Sequence, residues 1–189
     1  MYLSEVPFHG PKAILLQHLL KLLCDIDIMR FLSGKEEENA RAYFNAAAEA
    51  ALNSTCNRHK CGTVIVKDNI IIGKGSNSPP RGKEEQRRCA NSKDSYNKKV
   101  TDKTCCVHAE QRAIMDALRN NPDKILDSRL YFMRIDKDNK ITRAGKPYCT
   151  ICSKMSLDTG IKEFVLWHED GICVYGTEEY NTISFNYSD

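Results

Sequence analysis

Two short segments of the chain combine histidine, glutamate and cysteine at spacings that suit a metal ion. The first contains His108 and, two residues later, Glu110. The second contains Cys149 and Cys152 at the start of a predicted helix. A helix N-terminus stabilises thiolates, because its dipole favours negative charge. One imidazole and two thiolates would bind zinc and leave its fourth tetrahedral position for water, as in catalytic zinc sites.

Glu110 indicates that this metal site is catalytic rather than structural. Zinc lowers the pKa of a bound water from about 15.7 to about 7. The Glu110 carboxylate can face that water instead of the metal and shuttle protons. A purely structural zinc knot would leave Glu110 without a role. We therefore interpret His108, Cys149 and Cys152 as ligands of a catalytic zinc, and Glu110 as the catalytic proton carrier.

The composition favours a metal-using protein of the cytoplasm. Nine cysteines occur in 189 residues, and an odd number cannot all pair within one chain. Reduced cysteines point to metal binding or catalysis rather than to disulfides. The N-terminus lacks the pattern of a secretory signal peptide, so we expect a cytoplasmic location. The net charge of +3 is too weak to indicate nucleic acid or a membrane surface as partner.

The elements between the two segments must bring them together. The sequence predicts helices over 35–52, 108–118 and 149–159, a hairpin over 62–72 that turns at 67–69, and strands over 129–135 and 161–167. This order is typical of an α/β three-layer sandwich. The last two strands flank a helix, so we expect them to be parallel. Residues 171–189 show only weak periodicity.

Two segments of the chain lie outside the predicted sandwich, one at the N-terminus and one between the hairpin and the second helix of the sandwich. The apolar stretch 13–32 is interrupted by charged residues, so it predicts an amphipathic helix rather than a membrane span. We divide the chain into an N-terminal amphipathic helix, 1–34, and a domain, 35–189. That domain carries a long polar insert, 83–104, of a length that is usually functional or tied by a metal.

The two segments resemble the motifs of the zinc-dependent cytidine and deoxycytidylate deaminase superfamily. That superfamily carries His-x-Glu followed by Pro-Cys-x-x-Cys, with the glutamate as general acid and base. Here residues 106–110 read CVHAE and residues 147–152 read PYCTIC, so Tyr148 separates the proline from the first cysteine. The hairpin and the loop GSNSPP at 75–80 are similar to the deoxycytidylate deaminase branch, and the likeness covers roughly residues 40–170.

The resemblance implies a fold, an activity and a set of site residues. The fold is a mixed central sheet between helices, and the activity is hydrolytic deamination of a cytosine nucleotide or nucleoside with release of ammonia. Asn77 would contact the sugar, and the Ala109 backbone amide would help hold the base. Tyr148 and Trp167 are candidate aromatic walls, since bases stack on aromatic rings. Members of the family usually form homo-oligomers.

The resemblance also implies a second, structural zinc, which some deoxycytidylate deaminases hold near the corresponding loops. Cys56, Cys89 and Cys105 surround the insert and are candidate ligands, with Cys61 or His59 as the fourth. Such an ion would anchor a long polar loop that lacks its own core. The alternative is a set of free or buried thiols.

Two other functions stay open at this point. One is a deaminase of a purine or of an RNA base, and the other is a catalytically silent zinc-binding scaffold with this fold. The small net charge argues against RNA, and the intact His-Ala-Glu sequence argues against the scaffold. Three arginines in or next to the insert offer bidentate hydrogen bonds to a substrate phosphate, as an alternative to a solvated charge run: Arg81, Arg87 and Arg88.

Overall fold

The computed structural model describes residues 29–188. Seven strands lie within this range: β1 (Arg30–Phe31), β2 (Lys60–Lys67), β3 (Ile70–Ser76), β4 (Arg129–Ile135), β5 (Ile141–Thr142), β6 (Glu163–His168) and β7 (Gly171–Gly176). The same range contains four α-helices: α1 (Gly34–Leu52), α2 (Ala109–Asn120), α3 (Thr150–Asp158) and α4 (Thr177–Phe185). None of these helices has the length and hydropathy of a membrane span.

The strands form one mixed sheet in the order β1-β7-β6-β4-β2-β3, with β5 beside β4. β4 and β6 are parallel, and every other pair is antiparallel. The prediction that the two strands flanking α3 are parallel is therefore confirmed. The connection between them returns the chain through α3, which begins near the end of β4.

Helices cover both faces of the sheet, as the sequence predicts. On one face, α1 packs through Phe44 and Ala47 onto Val64 and Met133. On the other face, a separate cluster joins the sheet to α2 and α4: Ile65, Ile114, Leu130, Phe164 and Tyr180. The molecule is thus a three-layer α/β/α sandwich with a mixed central sheet.

Two strand glycines let helices approach the sheet unusually closely. A Cβ atom at Gly62 would overlap the backbone of Ala47 in α1, and one at Gly75 would overlap the backbone of Ala109 in α2. Only glycine allows such close contact of backbones. The first turn of α2 is consequently fixed against β3.

The hairpin turn also follows the sequence. Asp68 and Asn69 connect β2 to β3 and both have positive φ, 49° and 62°. That conformation is the one that two-residue hairpin loops require, and Asp and Asn tolerate it. The predicted hairpin with its turn at 67–69 is confirmed.

Both ends of the domain differ from the sequence prediction. Arg30–Phe31 forms an edge strand beside β7, so the prediction of a helix that continues to Ser33-Gly34 is wrong. The rest of that predicted helix lies outside the described residues. β7 and α4 were not predicted, because the interior of β7 is buried on both faces and such a strand lacks the alternation that reveals strands.

Candidate active site

Four side chains from two helix starts converge in one buried place. His108 Nδ1 lies 3.3 Å from both Cys149 Sγ and Cys152 Sγ. Together with a Glu110 carboxylate oxygen, these ligand atoms all lie within 4.8 Å of one another. A tetrahedral zinc with Zn–S of about 2.3 Å and Zn–N of about 2.0 Å would hold a nitrogen and a sulfur roughly 3.5 Å apart. The donor set and its spacing therefore fit zinc.

Local hydrogen bonds hold the two helix starts in position. His108 precedes α2, and its backbone N–H donates to Gln111 Oε1 at 3.0 Å. The preceding residue, Val107, exchanges two backbone hydrogen bonds with Ser78 just after β3. Cys149 precedes α3, and its carbonyl accepts from Ser153 N at 3.0 Å. These hydrogen bonds fix the backbone at or next to His108 and Cys149.

The thiols and the imidazole are electrostatically coupled. A hydrogen bond from Cys152 lowers the pKa of Cys149 to about 5. The same hydrogen bond, together with burial, raises the pKa of Cys152. The hydrogen bond to Cys149 raises the pKa of His108 to about 9. A thiol and an imidazolium release their protons when they become metal ligands, so this cluster has the chemistry of a metal site.

Glu110 is a buried carboxyl group poised near neutrality. Its side chain belongs to the first turn of α2, and the residue is only 6% exposed. Burial, and next the charge of Cys149, raise its pKa to about 7. A group with such a pKa can both accept and release a proton at neutral pH, which is what general acid–base catalysis needs.

A cavity of about 270 Å³ opens beside these residues. His108, Ala109 and Glu110 line it, Phe132 adds an aromatic wall, and Tyr148 lies at its mouth with half of its surface exposed. The Tyr148 hydroxyl accepts a hydrogen bond from Arg134 Nη2 at 3.3 Å. The cavity offers both an apolar surface and charged groups to a ligand.

Asn77 lines the cavity but is tied into its wall. Its Oδ1 accepts from Ser54 Oγ at 2.6 Å and from Cys61 N at 2.8 Å. Its Nδ2 donates to the His59 carbonyl at 2.9 Å. An amide nitrogen carries two hydrogens, so one of them stays for a ligand.

Trp167 lies on the opposite face of the sheet from the cavity. Its ring packs 5.4 Å from that of Phe44 in α1, with Arg143 3.9 Å above the ring centre. Because successive residues of a strand face opposite sides, Trp167 points away from α2 while Leu166 points toward it. The interpretation of Trp167 as a wall of the pocket is therefore corrected.

Phe132 and Arg134 line the cavity although sequence reasoning did not select them. Both share a face of β4 with Leu130, which packs in the core beneath α2. Side chains alternate between the two faces of β4, and this alternation was the signal that could have placed Phe132 and Arg134 in the cavity. It could be used only once the face of β4 that packs against α2 was known.

A second group of cysteines lies in the wall of the same cavity. The sulfur atoms of Cys89, Cys105 and Cys106 lie within 4.8 Å of one another. Burial, and next a hydrogen bond with Cys56, raise the pKa of Cys106, which places the Cys56 thiol beside this group. Two of the predicted ligands, Cys89 and Cys105, thus come together.

The remaining predicted ligands of that group lie elsewhere. Cys61 is buried in β2, where burial raises the pKa of its thiol to about 12, and neither it nor His59 belongs to the cluster. Cys106, which was not selected from the sequence, takes part in it. The segment around the cluster contains only short 3-10 turns: Pro80–Gly82, Glu84–Gln86 and Lys93–Ser95.

Comparison with known proteins agrees with this geometry. The family described as "cytidine and deoxycytidylate deaminase zinc-binding region" matches residues 37–168. Over 128 residues the chain is 30% identical to a deoxycytidylate deaminase of Schizosaccharomyces pombe, covering 65% of this chain and 35% of that protein. Over 129 residues it is 28% identical to a deoxycytidylate deaminase of Mycobacterium phage D29, covering 65% and 89%.

The chain therefore spans about a third of the length of the fission yeast relative and most of the phage relative. Among solved structures, it is similar to the dCMP deaminase of cyanophage S-TIM5 in apo form. That likeness has 26% identity and a TM-score of 0.47, and covers 67% of this chain and 80% of the phage chain.

Proposed function

The chain belongs to the cytidine and deoxycytidylate deaminase family, and on that premise we propose that it is a zinc-dependent hydrolytic deaminase of cytosine nucleotides. The observation that carries this proposal is the convergence of His108, Cys149 and Cys152 beside the buried Glu110 carboxylate. Both relatives named above are deoxycytidylate deaminases, so deoxycytidylate is the substrate we propose.

The site residues have different roles in such a reaction. Zinc bound by His108, Cys149 and Cys152 would acidify a coordinated water and so supply hydroxide near neutral pH. Glu110 takes a proton from the attacking water and gives it to the ring nitrogen as the C–O bond forms. It then carries the hydroxyl proton of the adduct to the amine, which leaves as ammonia when the C–N bond breaks. The Ala109 backbone N–H lies at the start of α2, where helices leave such donors free, and it holds the base.

A substrate panel tests this function. We expect the zinc-loaded protein to release ammonia from dCMP and to leave purine bases, purine nucleotides and single-stranded RNA unchanged. Uridine nucleotides, which carry no exocyclic amine, serve as the blank. Release from a purine or from RNA instead would favour the other deaminase reading, and release from none of these compounds would favour the silent scaffold.

We also propose a second, structural zinc bound by Cys56, Cys89, Cys105 and Cys106. Support comes from the clustered sulfur atoms and from the Arg88 backbone N–H, which donates to Cys105 Sγ at 2.9 Å. Four thiolates make a closed tetrahedral site, the usual form of a structural zinc. Its ion would anchor the polar insert, which contributes no residue to the two core clusters.

Metal stoichiometry tests the second site. We expect two zinc ions per chain in the wild type and one in Cys89→Ser. Cys173→Ser is the matched control, because Cys173 is buried in β7 and belongs to neither group. A single zinc in the wild-type protein would contradict this site.

We further propose that the protein is a cytoplasmic homo-oligomer, as the resemblance implies. Met115 and Leu118 on α2 expose 44% and 41% of their surface, and they lie three residues apart on one side of the helix. Light scattering on the purified chain tests this proposal, and a mass of 21.5 kDa at all concentrations would contradict it.

A further inference from the structure

His168 is a half-buried side chain that the proposed reaction does not use. It is the last residue of β6. Successive residues of a strand face opposite sides, so His168 shares a face of the sheet with Leu166, which packs toward α2. Trp167, between the two, lies on the other face. The imidazole of His168 is therefore on the side of the sheet that carries the candidate active site.

Both ring nitrogens of His168 make a hydrogen bond. Nδ1 lies 3.0 Å from the Ala144 carbonyl oxygen, and Nε2 lies 2.9 Å from the Tyr175 hydroxyl oxygen. A carbonyl oxygen can only accept, so Nδ1 carries the hydrogen and donates it to Ala144. In the neutral imidazole, Nε2 then accepts from the Tyr175 hydroxyl. The two hydrogen bonds together fix the tautomer and the orientation of the ring.

Tyr175 holds the imidazole from the side of β7. The residue is only 5% exposed, and burial raises the pKa of its hydroxyl, so the hydroxyl keeps its proton and donates. The Tyr175 ring packs edge-on against that of Tyr180 in α4, with ring centres 6.1 Å apart. A buried hydroxyl needs a hydrogen-bond partner, and Nε2 of His168 supplies it.

Ala144, on the other side of the ring, belongs to the segment that leads to the candidate zinc ligand Cys149. Its backbone N–H donates to the Trp167 carbonyl at 2.8 Å, and its carbonyl accepts from His168. Residues 145–148 make no backbone–backbone hydrogen bond with any residue that the structure describes. Ala144 is therefore the last backbone anchor before Cys149.

An anchor at this place restricts where Cys149 can lie. Residues 145–148 are held at one end by β6 and at the other end by the start of α3, where Ser153 N donates to the Cys149 carbonyl. Pro147 within this stretch is buried, and its ring fixes one of its two backbone dihedrals. Release of one end would give the stretch more conformations, and zinc binding would then have to restrict them.

We infer that His168 is a positioning residue of the catalytic zinc site, which holds Ala144 and, through residues 145–148, the ligand Cys149. This inference rests on the proposed zinc-dependent function and adds to it a residue, outside the ligand set, on which the affinity for zinc depends. Tyr175 assists by fixing the imidazole. Groups that orient metal ligands in this way affect metal affinity although they do not touch the metal.

Zinc affinity of a His168 variant tests the inference without turnover. The zinc-loaded chains are dialysed against buffers of fixed free zinc, and zinc per chain is measured by atomic absorption. We expect H168A to bind one zinc equivalent roughly ten-fold more weakly than the wild type, at the lower end of the effect of a lost outer-shell partner. Zinc held by the cysteine group of the insert should be retained as in the wild type.

Two amide variants separate the hydrogen bond to Ala144 from the bulk of the ring. H168N can place its amide nitrogen where Nδ1 lies and donate to the Ala144 carbonyl, so it should recover most of the wild-type affinity. H168Q carries its amide further along the side chain, where Nε2 lies, and should resemble H168A. This pair carries the comparison even if H168A fails to fold.

A pair of tyrosine variants tests the support from Tyr175. Y175F removes the donor to Nε2, so its zinc affinity should lie between those of H168A and the wild type. Y43F is the matched control, because the Tyr43 hydroxyl donates to Asn69 Oδ1 at 3.3 Å and Tyr43 packs on the α1 side of the sheet. It should bind zinc as the wild type does.

Two results would overturn the inference while the deaminase function stands. One is a lowered melting temperature of H168A with wild-type zinc affinity, which would make His168 a support of the fold alone. The other is equal zinc affinity of H168N and H168Q. Failure of the proposed function gives a different result, namely no ammonia from dCMP in a wild type that still binds zinc.

Discussion

Glu110 and Arg134 bring opposite charges to one cavity for different purposes. Glu110 is buried beside the candidate metal ligands, where burial raises its pKa to about 7, so it suits proton transfer. Arg134 keeps its charge under all ordinary conditions and suits a fixed anion. Both groups line the cavity, so a bound ligand would meet a proton carrier and a fixed positive charge.

The two kinds of site residue differ in how they could be found from sequence. His108, Glu110, Cys149 and Cys152 depend on short spacings at helix starts, which the sequence contains directly. Arg134 depends on which face of β4 meets α2, and that is a property of the assembled sheet. Trp167 was misassigned for the same reason, since its aromatic ring was selected without knowledge of the face of β6 on which it lies.

Replacement of one candidate ligand tests the metal centre. We expect Cys149→Ser to lose the zinc of the catalytic site, because the cluster then retains one thiol and one imidazole. Ammonia release should fall by more than the 10–100-fold that loss of an outer-shell partner typically costs. Atomic absorption and ammonia assays measure both effects. Cys173→Ser should match the wild type, and a Cys149→Ser protein with full zinc content would contradict the assignment.

At the scale of elements, the site depends on how closely α2 packs on β3. Gly75 permits that packing, and α2 in turn covers the open edge of the sheet. Asp116 Oδ2 accepts from Lys74 N at 2.9 Å, and Asn121 Nδ2 donates to the Ile72 carbonyl at 2.8 Å. These bonds satisfy backbone groups that a free edge would offer to another strand.

Gly75→Ala should disturb the site from a distance. The added Cβ would overlap the backbone of Ala109 and Ala113, so α2 must shift together with His108. Overpacking of this kind costs about 1–3 kcal/mol of unfolding free energy, and zinc affinity should fall as well. Urea unfolding and zinc titration measure these changes. Gly145→Ala is the control, because nothing lies within 4 Å of its added Cβ; equal behaviour of the two variants would contradict this account.

A carboxylate joins the start of α1 to two strands. Glu36 accepts two hydrogen bonds from Arg30, at 2.9 and 2.8 Å, and one from Arg129 at 3.0 Å. The hydrogen bond from Arg30 is the main cause that lowers the pKa of Glu36 to about 2. A lowered pKa stabilises the folded state above the unfolded value of about 4.3, and this contribution is lost as the pH falls toward 2.

Glu36→Gln should therefore flatten part of the acid dependence of stability. The Glu36 side chain is 41% exposed, so solvent screening limits its contribution to about 1 kcal/mol or less. We expect the variant to be less stable than the wild type at pH 6, with the difference shrinking toward pH 2. Urea unfolding at several pH values measures it. Glu38→Gln, an exposed position of the same helix, is the control, and a constant difference at all pH values would argue against the ion pair.

At the scale of the whole molecule, the sheet extends further at one edge than the sequence indicated, through β7 and β1. β1 pairs with β7, and Leu32 N donates to the Ile172 carbonyl at 2.8 Å. The central hairpin, β4 and the helices α1 to α3 were predictable, because their patterns are local. β1 has only two residues, and the interior of β7 is buried on both faces. Neither strand therefore shows an alternation of polar and apolar residues, and both are recognised only by their pairing in the sheet.

Two truncated chains test whether the domain begins at residue 35, as the sequence predicts, or includes β1, as the sheet indicates. A chain of residues 29–189 keeps β1, and we expect it to fold and to release ammonia. A chain of residues 35–189 loses β1 and the buried Leu32, and loss of such a core side chain alone costs about 2–5 kcal/mol. Circular dichroism melts compare the two chains. Equal melting temperatures would support the boundary at residue 34.

The most direct test of the account is the Glu110→Gln variant, assayed for zinc and for ammonia release from dCMP side by side with the wild type. Glutamine is similar in size and hydrogen-bonding shape but cannot carry the proton. We expect unchanged zinc content and a loss of ammonia release of at least about 100-fold, the lower end of what general acid–base catalysis contributes. Ammonia release at the wild-type rate from the zinc-loaded variant would contradict the central claim that Glu110 is the proton carrier of a zinc-dependent deaminase.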